Sequence, residues 1–388
     1  MKSYDVAVIG GGIVGMTAAF FLSKTGKKVT VIEKNKIATG TTANSFAWIN
    51  ASSKAAKGEY MHLNARGLSG YTQLAQTFGE HPLGLNPCGQ IWIAPKNDAV
   101  RYDELKKRFS LLQQEDYPVT WVKSKDLQIL EPSINYMGEY EGLLSFSEMC
   151  LDAPRFVHFL SQQIEDAGSS IIENNEVLSL ATDDSGNATG LLTANGEIKA
   201  TQILLAGGPN TPELLASLTG FAGFANRFPV RKSPGILITT PPLGTKRLTR
   251  RVIYWEQSPD LHALPHFSGG WRIGSDDMDG VIAEEDTPKK RTFAANCLLK
   301  RAREFLIGIP DDLTVEDCKI TVGIRPVPDD GQSIADIFPG TENFFLLVTH
   351  SGVTLAPALG ELMAEFICTG KRPNELETFS LKRFPGFS

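Results

Sequence analysis

The sequence predicts an α/β chain that opens with a Rossmann-like dinucleotide-binding unit, and three observations near the amino terminus support this. Residues 5–9 have the pattern of a short buried strand, and the glycine-rich run 10–15 (GGGIVG) follows at once. An apolar helix is expected over 13–24, and the next apolar run, 28–32, ends at Glu33. This order is typical of folds that bind an adenine dinucleotide. The Glu33 carboxylate would accept hydrogen bonds from ribose hydroxyls, which argues against a 2′-phosphate there.

Each glycine of the motif has its own expected role. Gly10 lets the chain turn, Gly12 lets the backbone approach a pyrophosphate, and Gly15 lets the helix pack on the strand. The phosphates would then lie at the helix N-terminus, next to Ile13 and Val14. Unpaired amide donors and the helix dipole both favour an anion at that position.

A signal peptide or membrane span is the alternative interpretation of this stretch, because residues 6–23 carry no charge. The glycines and Asp5 weaken it, and no small-residue cleavage site follows. Lysines close the segment at 24, 27 and 28. We therefore expect no integral membrane segment.

The composition indicates a cytoplasmic globular enzyme. The chain has 388 residues, 42% of them hydrophobic, and a net charge of -6, so two domains are expected. The longest basic run is 289–291, which speaks against a nucleic-acid partner. Five scattered cysteines without C-x-x-C spacing are expected to be reduced thiols, and we expect no metal site.

The small polar segment 38–45 (ATGTTANS) is a candidate for a second phosphate-binding loop. Its hydroxyls and free amides could surround the ribitol and pyrophosphate of a flavin dinucleotide, although such loops are often only loops. The residues expected to contact the cofactor are Thr41, Thr42, Ala43 and Ser45.

Helices and strands alternate through the next part of the chain. A helix is expected over 151–167, with Asp152 as its N-cap. The strand 200–205 ends in a glycine turn that begins with Ala206 and Gly207, which would return to the same crevice. The remaining expectations are helices at 62–78 and 98–114 and strands at 89–94, 170–173 and 176–178.

The pattern then changes to short β-like runs between 228 and 273, which predicts a separate antiparallel sheet. A helix at 287–306 follows. The chain closes with a strand at 344–348, a turn at 350–354 and an apolar helix at 355–368.

The order of these motifs resembles the FAD-dependent D-amino-acid oxidase superfamily over nearly the whole chain. It is most similar to the branch of glycine oxidase, sarcosine oxidase and D-amino-acid dehydrogenase. The segments that carry the resemblance are DVAVIGGGIVG at 5–15, Glu33, TGTTANS at 39–45, LDAP at 151–154, LLAGG at 204–208, GIRPVPDDG at 323–331 and HSGVTLAPALG at 350–360.

The resemblance implies an FAD-binding domain of the glutathione-reductase type and a second α+β substrate domain on a large mixed or antiparallel sheet. The FAD-binding domain would comprise 1–83, 148–222 and 320–388. The substrate-binding domain would comprise 84–147 and 223–319. Lys34 and Val177 are also expected to contact FAD. Relatives with a covalent flavin carry a cysteine near 323–326, and this sequence has none there, so a noncovalent FAD is expected.

Two arginines are candidates for the reaction site. Arg325 matches the G-x-R-P arginine that binds the substrate carboxylate in similar enzymes, and a planar guanidinium suits that role. The alternative is a structural arginine beside Asp329 or Asp330. Arg272 lies where sarcosine-oxidase-like members carry a lysine that assists oxygen, and a plain surface arginine is the alternative.

The segment 350–354 is expected to face the flavin. Amides of Gly352, Val353 and Thr354 at a helix start could stabilise negative charge on the reduced ring. His350 could face the same ring, although a histidine in such a turn is more often structural.

The middle sheet supplies the remaining candidates. Tyr254 could hydrogen-bond a carboxylate, and His262 or His266 could line the substrate pocket, with ordinary sheet packing as the alternative.

These features predict an FAD-dependent oxidoreductase. It would oxidise the carbon next to the amine nitrogen of a small amino acid or N-alkyl amino acid, and electrons would pass to oxygen or another acceptor. The alternatives are a dehydrogenase using a quinone, a flavin-binding subunit or tRNA-modification enzyme, and a nicotinamide-dependent dehydrogenase. The oligomeric state is left open.

Overall fold

The computed structural model describes residues 3–184, 187–218, 220–244 and 250–387. The strands in this part of the chain are Ser3–Ile9 (β1), Val29–Ile32 (β2), Trp48–Ile49 (β3), Leu85–Asn86 (β4), Gln90–Pro95 (β5), Thr120–Val122 (β6), Tyr140–Ser145 (β7), Met149–Leu151 (β8), Ser170–Ile172 (β9), Val177–Thr182 (β10), Ala188–Thr193 (β11), Gly196–Leu205 (β12), Val230–Thr239 (β13), Val252–Trp255 (β14), Leu261–Pro265 (β15), Trp271–Gly274 (β16), Lys319–Pro328 (β17), Ile334–Ile337 (β18) and Phe344–Val348 (β19). The α-helices are Ile13–Lys24 (α1), Glu59–Phe78 (α2), Glu80–Leu83 (α3), Ala99–Gln114 (α4), Ser124–Leu130 (α5), Ala153–Asp166 (α6), Thr211–Ser217 (α7), Ala222–Ala225 (α8), Asp276–Glu284 (α9), Pro288–Phe305 (α10) and Gly352–Thr369 (α11).

The first large sheet is the predicted dinucleotide-binding sheet. Its order is β10-β11-β12-β1-β2-β9, and β19 pairs with β12 and with β18. The central strand β1 pairs in parallel with β2 and with β12, as do β2 with β9 and β12 with β19. The carboxyl ends of these parallel strands therefore meet at one edge, which brings the motif at 10–15 beside the turn at 206–208.

The second large sheet has the order β17-β13-β16-β15-β14-β5-β7-β6. It is mostly antiparallel, but β14 and β5 pair in parallel, which makes it mixed. The α/β class with a second mixed sheet is therefore confirmed. Strand β17, which the predicted boundary at 320 assigns to the FAD-binding domain, pairs along its whole length with β13 of this sheet.

Several expected elements differ from the observed ones. The last helix begins at Gly352, three residues before the predicted start, so Pro357 lies in its second turn and not in its first. A small third sheet, β3-β8-β4, joins short segments that carry too few residues to show a strand pattern.

One helix in the described ranges, α11, is long and apolar enough to cross a membrane by length and composition alone, and 67% of its apolar window is buried within the molecule. It packs against α1 and α2. The approach to α2 is so close that a Cβ on Gly67 would lie 2.1 Å from the carbonyl oxygen of Thr354. This packing fixes the start of α11.

The hydroxyl of Tyr71 replaces the hydrogen bond that Pro357 cannot make within α11. A proline has no N–H, so Pro357 cannot donate to the carbonyl of Val353 four residues earlier. The fully buried Tyr71 donates to that oxygen instead, at 2.7 Å.

We expect Tyr71→Phe to lower the free energy of unfolding by about 1–3 kcal/mol, because it leaves the partly buried carbonyl of Val353 without this donor. Tyr60 is a matched control on the same helix, since its ring is fully buried and its hydroxyl has no partner in the described structure. Tyr60→Phe should cost little. Denaturant unfolding of both variants checks this, and equal losses would show that the hydroxyl of Tyr71 has no special role.

Candidate active site

A cleft of about 730 Å³ runs from the glycine motif of β1–α1 to the face of the second sheet. Its lining includes the glycine motif, the loop 38–48, the turn after β12, the start of α11 and side chains from β14, β15 and β17. This volume is in the range of cofactor and ligand pockets. The cleft therefore joins the two sheets at the edge where the parallel strands end.

The glycine motif has the geometry expected of a phosphate-binding turn. Gly10 has φ +114°, and a Cβ there would lie 2.4 Å from the carbonyl oxygen of Ala206. A Cβ on Gly15 would lie 2.2 Å from the oxygen of Gly10. On Gly12 the nearest atom would be Oγ1 of Thr42 at 3.5 Å, so that position faces open cleft. The space beside Gly12 is thus available to a phosphate group.

The loop 38–45 is tied to the start of α1 and to strand β17. The amide of Ile13 donates to Oγ1 of Thr42 at 3.0 Å, which leaves the hydroxyl proton of Thr42 free to donate to a ligand. The hydroxyl of Thr41 donates to the carbonyl of Ile324 at 2.6 Å. This loop and the helix N-terminus together fit the diphosphate of a dinucleotide.

Glu33 lines the cleft directly after β2. Its Oε2 accepts the amide of Gly11 at 2.7 Å and its Oε1 accepts the amide of Asn35 at 2.9 Å. Each carboxylate oxygen can accept a second hydrogen bond, so the held carboxylate can still receive ribose hydroxyls.

Four of the expected cofactor residues do not line the cleft. Lys34 points to Glu176, with an ion pair of 2.8 Å, and Val177 is buried in β10. Ala43 lies between the lining residues Thr42 and Asn44, and Gly15 serves helix packing as predicted. The other expected cofactor residues all line it, namely Gly10, Gly12, Ile13, Val14, Glu33, Thr41, Thr42, Ser45, Ala206, Gly207, Gly352, Val353 and Thr354.

The first turn of α11 faces the cleft with Gly352, Val353 and Thr354. The hydroxyl of Thr354 accepts the amide of Asn50 at 3.2 Å and donates to the carbonyl of Trp48 at 3.3 Å. The positive end of an 18-residue helix therefore points into the cleft, where it can stabilise a developing negative charge.

His350 lines the cleft just before this helix. Desolvation lowers the pKa of its imidazole to about 3, and the charges of Lys54, Arg325, Lys57 and Arg231 act in the same direction. A base with so low a pKa is uncharged at pH 5 and above.

We therefore expect the pH profile of the reductive half-reaction between pH 5 and 8 to have no inflection that belongs to His350. His350→Gln should keep the apparent pKa values of the wild type, measured by anaerobic stopped-flow reduction. An inflection near neutrality that disappears in the variant would contradict a neutral His350.

Arg325 reaches the cleft from β17, and its partner is not one of the two predicted aspartates. Its Nη2 donates to Asp279 at 2.8 Å and to the carbonyl of Pro234 at 2.9 Å, and its Nε donates to the carbonyl of Ser233 at 3.4 Å. Asp330 pairs with Arg383 instead. Within the described ranges these bonds use Nε and Nη2, so the two N–H groups of Nη1 remain for a ligand.

An aromatic wall forms part of the cleft. The rings of Trp92 and Tyr254 lie 4.5 Å apart, Tyr254 stacks on His262 at 5.6 Å, and His262 meets Phe46 at 4.7 Å. Trp48 completes it, 5.5 Å from Trp92. All five rings line the cleft and form a continuous aromatic surface there.

One hydrogen bond and a group of nearby carboxylates lie beside this wall. The hydroxyl of Tyr254 donates to Asp276 at 3.0 Å, and desolvation raises the pKa of Tyr254 well above its usual value. Ligand atoms of Asp260, His262 and Asp276 lie within 4.8 Å of one another. Asp276 and Asp260 already accept protein hydrogen bonds, and the absence of a metal remains a prediction.

Two residues expected near the substrate lie elsewhere. The buried side chain of Arg272 donates from Nη1 to the carbonyl of Ser45 at 2.7 Å and from Nε to Thr239 at 3.3 Å. Arg272 therefore holds the loop 38–45 through the carbonyl of Ser45 and does not itself line the cleft. His266, at the end of β15, is also absent from the lining, and its Nδ1 contacts the hydroxyl of Ser268.

The sequence analysis missed three side chains that shape the site, namely Lys54, Arg108 and Asp279, all of which line the cleft. Arg108 belongs to the predicted helix at 98–114 and lies 3.7 Å above the ring of Trp92. Asp279 and Lys54 lie on short elements without a motif, and no periodic pattern of apolar residues marks either position.

The fold and the cleft define a dinucleotide-binding oxidoreductase with a second, substrate-facing sheet. The chain matches the sequence profile of the FAD dependent oxidoreductase family, DAO, over residues 5–366, and it belongs to that family. FAD is therefore its cofactor, and the nicotinamide alternative is wrong.

Individual relatives are similar to this chain over nearly its full length. The chain is 24% identical over 393 residues to a glycine oxidase of Geobacillus kaustophilus, covering 99% of this chain and 98% of the relative. It is 25% identical over 393 residues to an N-methyl-L-tryptophan oxidase of Yersinia pestis, covering 98% and 99%. The crystal structure of a glycine oxidase from Geobacillus kaustophilus superposes with a TM-score of 0.80 at 22% identity, covering 100% of both chains.

Proposed function

We propose that this FAD-dependent oxidoreductase oxidises the carbon next to the nitrogen of a small amino acid or N-alkyl amino acid, giving an imine that water hydrolyses. The main support is the position of Arg325, which lines the same cleft as the start of α11 and whose Nη1 is not used by its bonds to Ser233, Pro234 and Asp279. The names of the relatives support it, since they include oxidases of glycine and of an N-methyl amino acid.

Each part of the site has a task in this proposal. Nη1 of Arg325 holds the substrate carboxylate, and the aromatic wall excludes water so that the charge-assisted bond is strong. Bound FAD supplies the chemistry by accepting a hydride from the substrate carbon. The amides of Gly352–Thr354 stabilise the negative charge that results. Tyr254 and His262 shape the pocket beside the reacting carbon.

No side-chain base is needed if the substrate amine binds without its extra proton. The neutral imidazole of His350 and the surplus of positive charge around it both favour an uncharged amine. The protein then contributes orientation, desolvation and electrostatics.

The cofactor contacts and the domain division remain part of the proposal. We propose that 38–45 and the start of α1 hold the diphosphate and that Glu33 holds the adenosine ribose. We also keep the predicted two domains, with the last FAD-binding segment beginning after Pro328 because β17 pairs with β13. A cytoplasmic location is the expectation from composition.

Anaerobic reduction of the bound flavin tests the proposed reaction. The purified holoenzyme is mixed with glycine, sarcosine, proline and pairs of D- and L-amino acids, and the loss of flavin absorbance is followed. Bleaching by at least one amine supports the proposal. No bleaching by any of them, in protein that dithionite reduces normally, would favour a flavin-binding or tRNA-modification role. Timed reoxidation in air, compared with a quinone, then separates an oxidase from a dehydrogenase.

A further inference from the structure

Lys54 is a cation of the cleft to which the proposed reaction assigns no task. Lys54 ends the short 3₁₀ turn Ser52–Lys54, which precedes α2 in the chain, and Lys54 lines the cleft. Its Nζ makes no hydrogen bond or ion pair with any residue in 3–184, 187–218, 220–244 or 250–387.

Lys54 is exceptional among the cations of the cleft. Four lysine and arginine side chains line it, and the other three have carboxylate partners in the described structure. These pairs are Lys36–Glu173, Arg108–Glu256 and Arg325–Asp279.

The environment of Lys54 makes its unpaired charge costly. The side chain is partly buried, and desolvation lowers the pKa of its ammonium to about 8. Lys57 and Arg108 lower it further, while Asp276 and Glu148 act in the opposite direction without forming an ion pair. A cation that is kept in such a place destabilises the free protein and would be stabilised by an anion from outside.

Lys54 and Arg325 line the same cleft. His350 lines the cleft, and both cations lower the pKa of its imidazole. One small molecule next to His350 would therefore lie in the field of both charges. Arg325 is already partly neutralised by Asp279, so the two cations are not equivalent.

We propose that Lys54 binds a second anionic group of the substrate, so that the preferred substrate is an amino acid with a further carboxylate on its side chain or on its nitrogen substituent. This inference rests on the proposed function. It assigns Arg325 to the carboxylate next to the reacting carbon and Lys54 to the distal one.

Matched substrate pairs test this assignment. Glutamate is compared with norvaline, and N-(carboxymethyl)glycine with N-ethylglycine, by anaerobic flavin reduction. Lys54→Met keeps the unbranched side chain as far as the ε position and removes the charged Nζ. It should lower kcat/KM for the diacids by about 30- to 100-fold, as the loss of a charge-assisted contact implies, and change the monoacids less than about threefold. Lys57→Met is the matched control, because Lys57 is exposed and does not line the cleft.

A binding measurement separates this inference from the proposed reaction. Glutarate and butyrate are titrated into the holoenzyme, and the shift in flavin absorbance or in the unfolding temperature is followed. Glutarate should bind more tightly than butyrate in the wild type, and Lys54→Met should remove the difference. This result would stand even if no amine reduced the flavin, which would overturn only the proposed function.

Two results would overturn the assignment of Lys54 to a distal carboxylate. Equal losses for diacids and monoacids in Lys54→Met would make Lys54 a general anchor or a structural residue and would overturn the inference. Wild-type protein that does not distinguish glutarate from butyrate would overturn it as well.

Discussion

Replacing Arg325 by methionine is expected to lower kcat/KM for an amino-acid substrate by about 100- to 1000-fold, equivalent to about 3–4 kcal/mol. The expectation follows from the loss of the guanidinium group that lines the cleft from β17. FAD should remain bound, because the residues that surround the diphosphate site belong to the glycine motif and the loop 38–45. Steady-state kinetics and the flavin content of the purified variant measure both effects.

Two controls separate recognition from stability. Arg325→Met leaves Asp279 without its cation, and Asp279 is mostly buried, so some loss of stability is expected. The double variant Arg325→Met/Asp279→Asn should recover stability but not activity. Arg383→Met removes another arginine–aspartate pair, away from the cleft, and should leave kinetics unchanged. An unchanged kcat/KM in Arg325→Met with FAD bound would reject the assignment.

The second large effect is expected at Gly12. Gly12→Ala should weaken FAD binding at least about 100-fold, equivalent to about 2.7 kcal/mol, because the new methyl group occupies the space through which the backbone approaches the diphosphate. The protein itself tolerates this Cβ, whose nearest atom would be 3.5 Å away. The variant should therefore fold and lose its colour, as measured by circular dichroism and by titration of the apoprotein with FAD.

Gly280→Ala is the control for this experiment. Gly280 lies in α9, and a Cβ there meets no atom within 4 Å, so FAD affinity should not change. If Gly12→Ala were purified with a full complement of FAD and an unchanged dissociation constant, the diphosphate could not lie beside Gly12.

The nucleotide end of the site was predictable from sequence because its determinants are local. The roles of Gly10, Gly12 and Gly15 depend on a turn of six residues, and that turn has the same form in many proteins. Glu33 follows from the short strand β2. Gly10, Gly12, Glu33 and most of the loop 38–45 therefore line one cleft, and their contacts with FAD stay a prediction.

The substrate end was less predictable because its determinants are contacts between distant segments. Asp279 pairs with Arg325 only because α9 packs on β13, which places partners 46 residues apart in contact. Nothing in the local sequence of Arg272 shows that its side chain turns to Ser45. Lys54 belongs to no motif. Its lack of a carboxylate partner among the described residues can be seen only when the positions of the neighbouring carboxylates are known.

The start of α11 was not predictable from sequence for a different reason. A glycine and a proline near a predicted helix suggest a cap followed by a first-turn proline. The helix instead begins at Gly352 and tolerates Pro357 in its second turn, because Tyr71 from α2 supplies the missing donor. Only tertiary structure can provide that donor.

A crystal structure of the FAD complex tests the central claim most directly. We expect diphosphate oxygens within hydrogen-bond distance of the Gly12 amide and of the Thr42 hydroxyl. We expect the flavin ring to lie between the first turn of α11 and the aromatic wall, near Arg325. A diphosphate far from α1 would contradict the proposed cofactor site. A flavin ring too far from Arg325 for one substrate to reach both would contradict the proposed reaction.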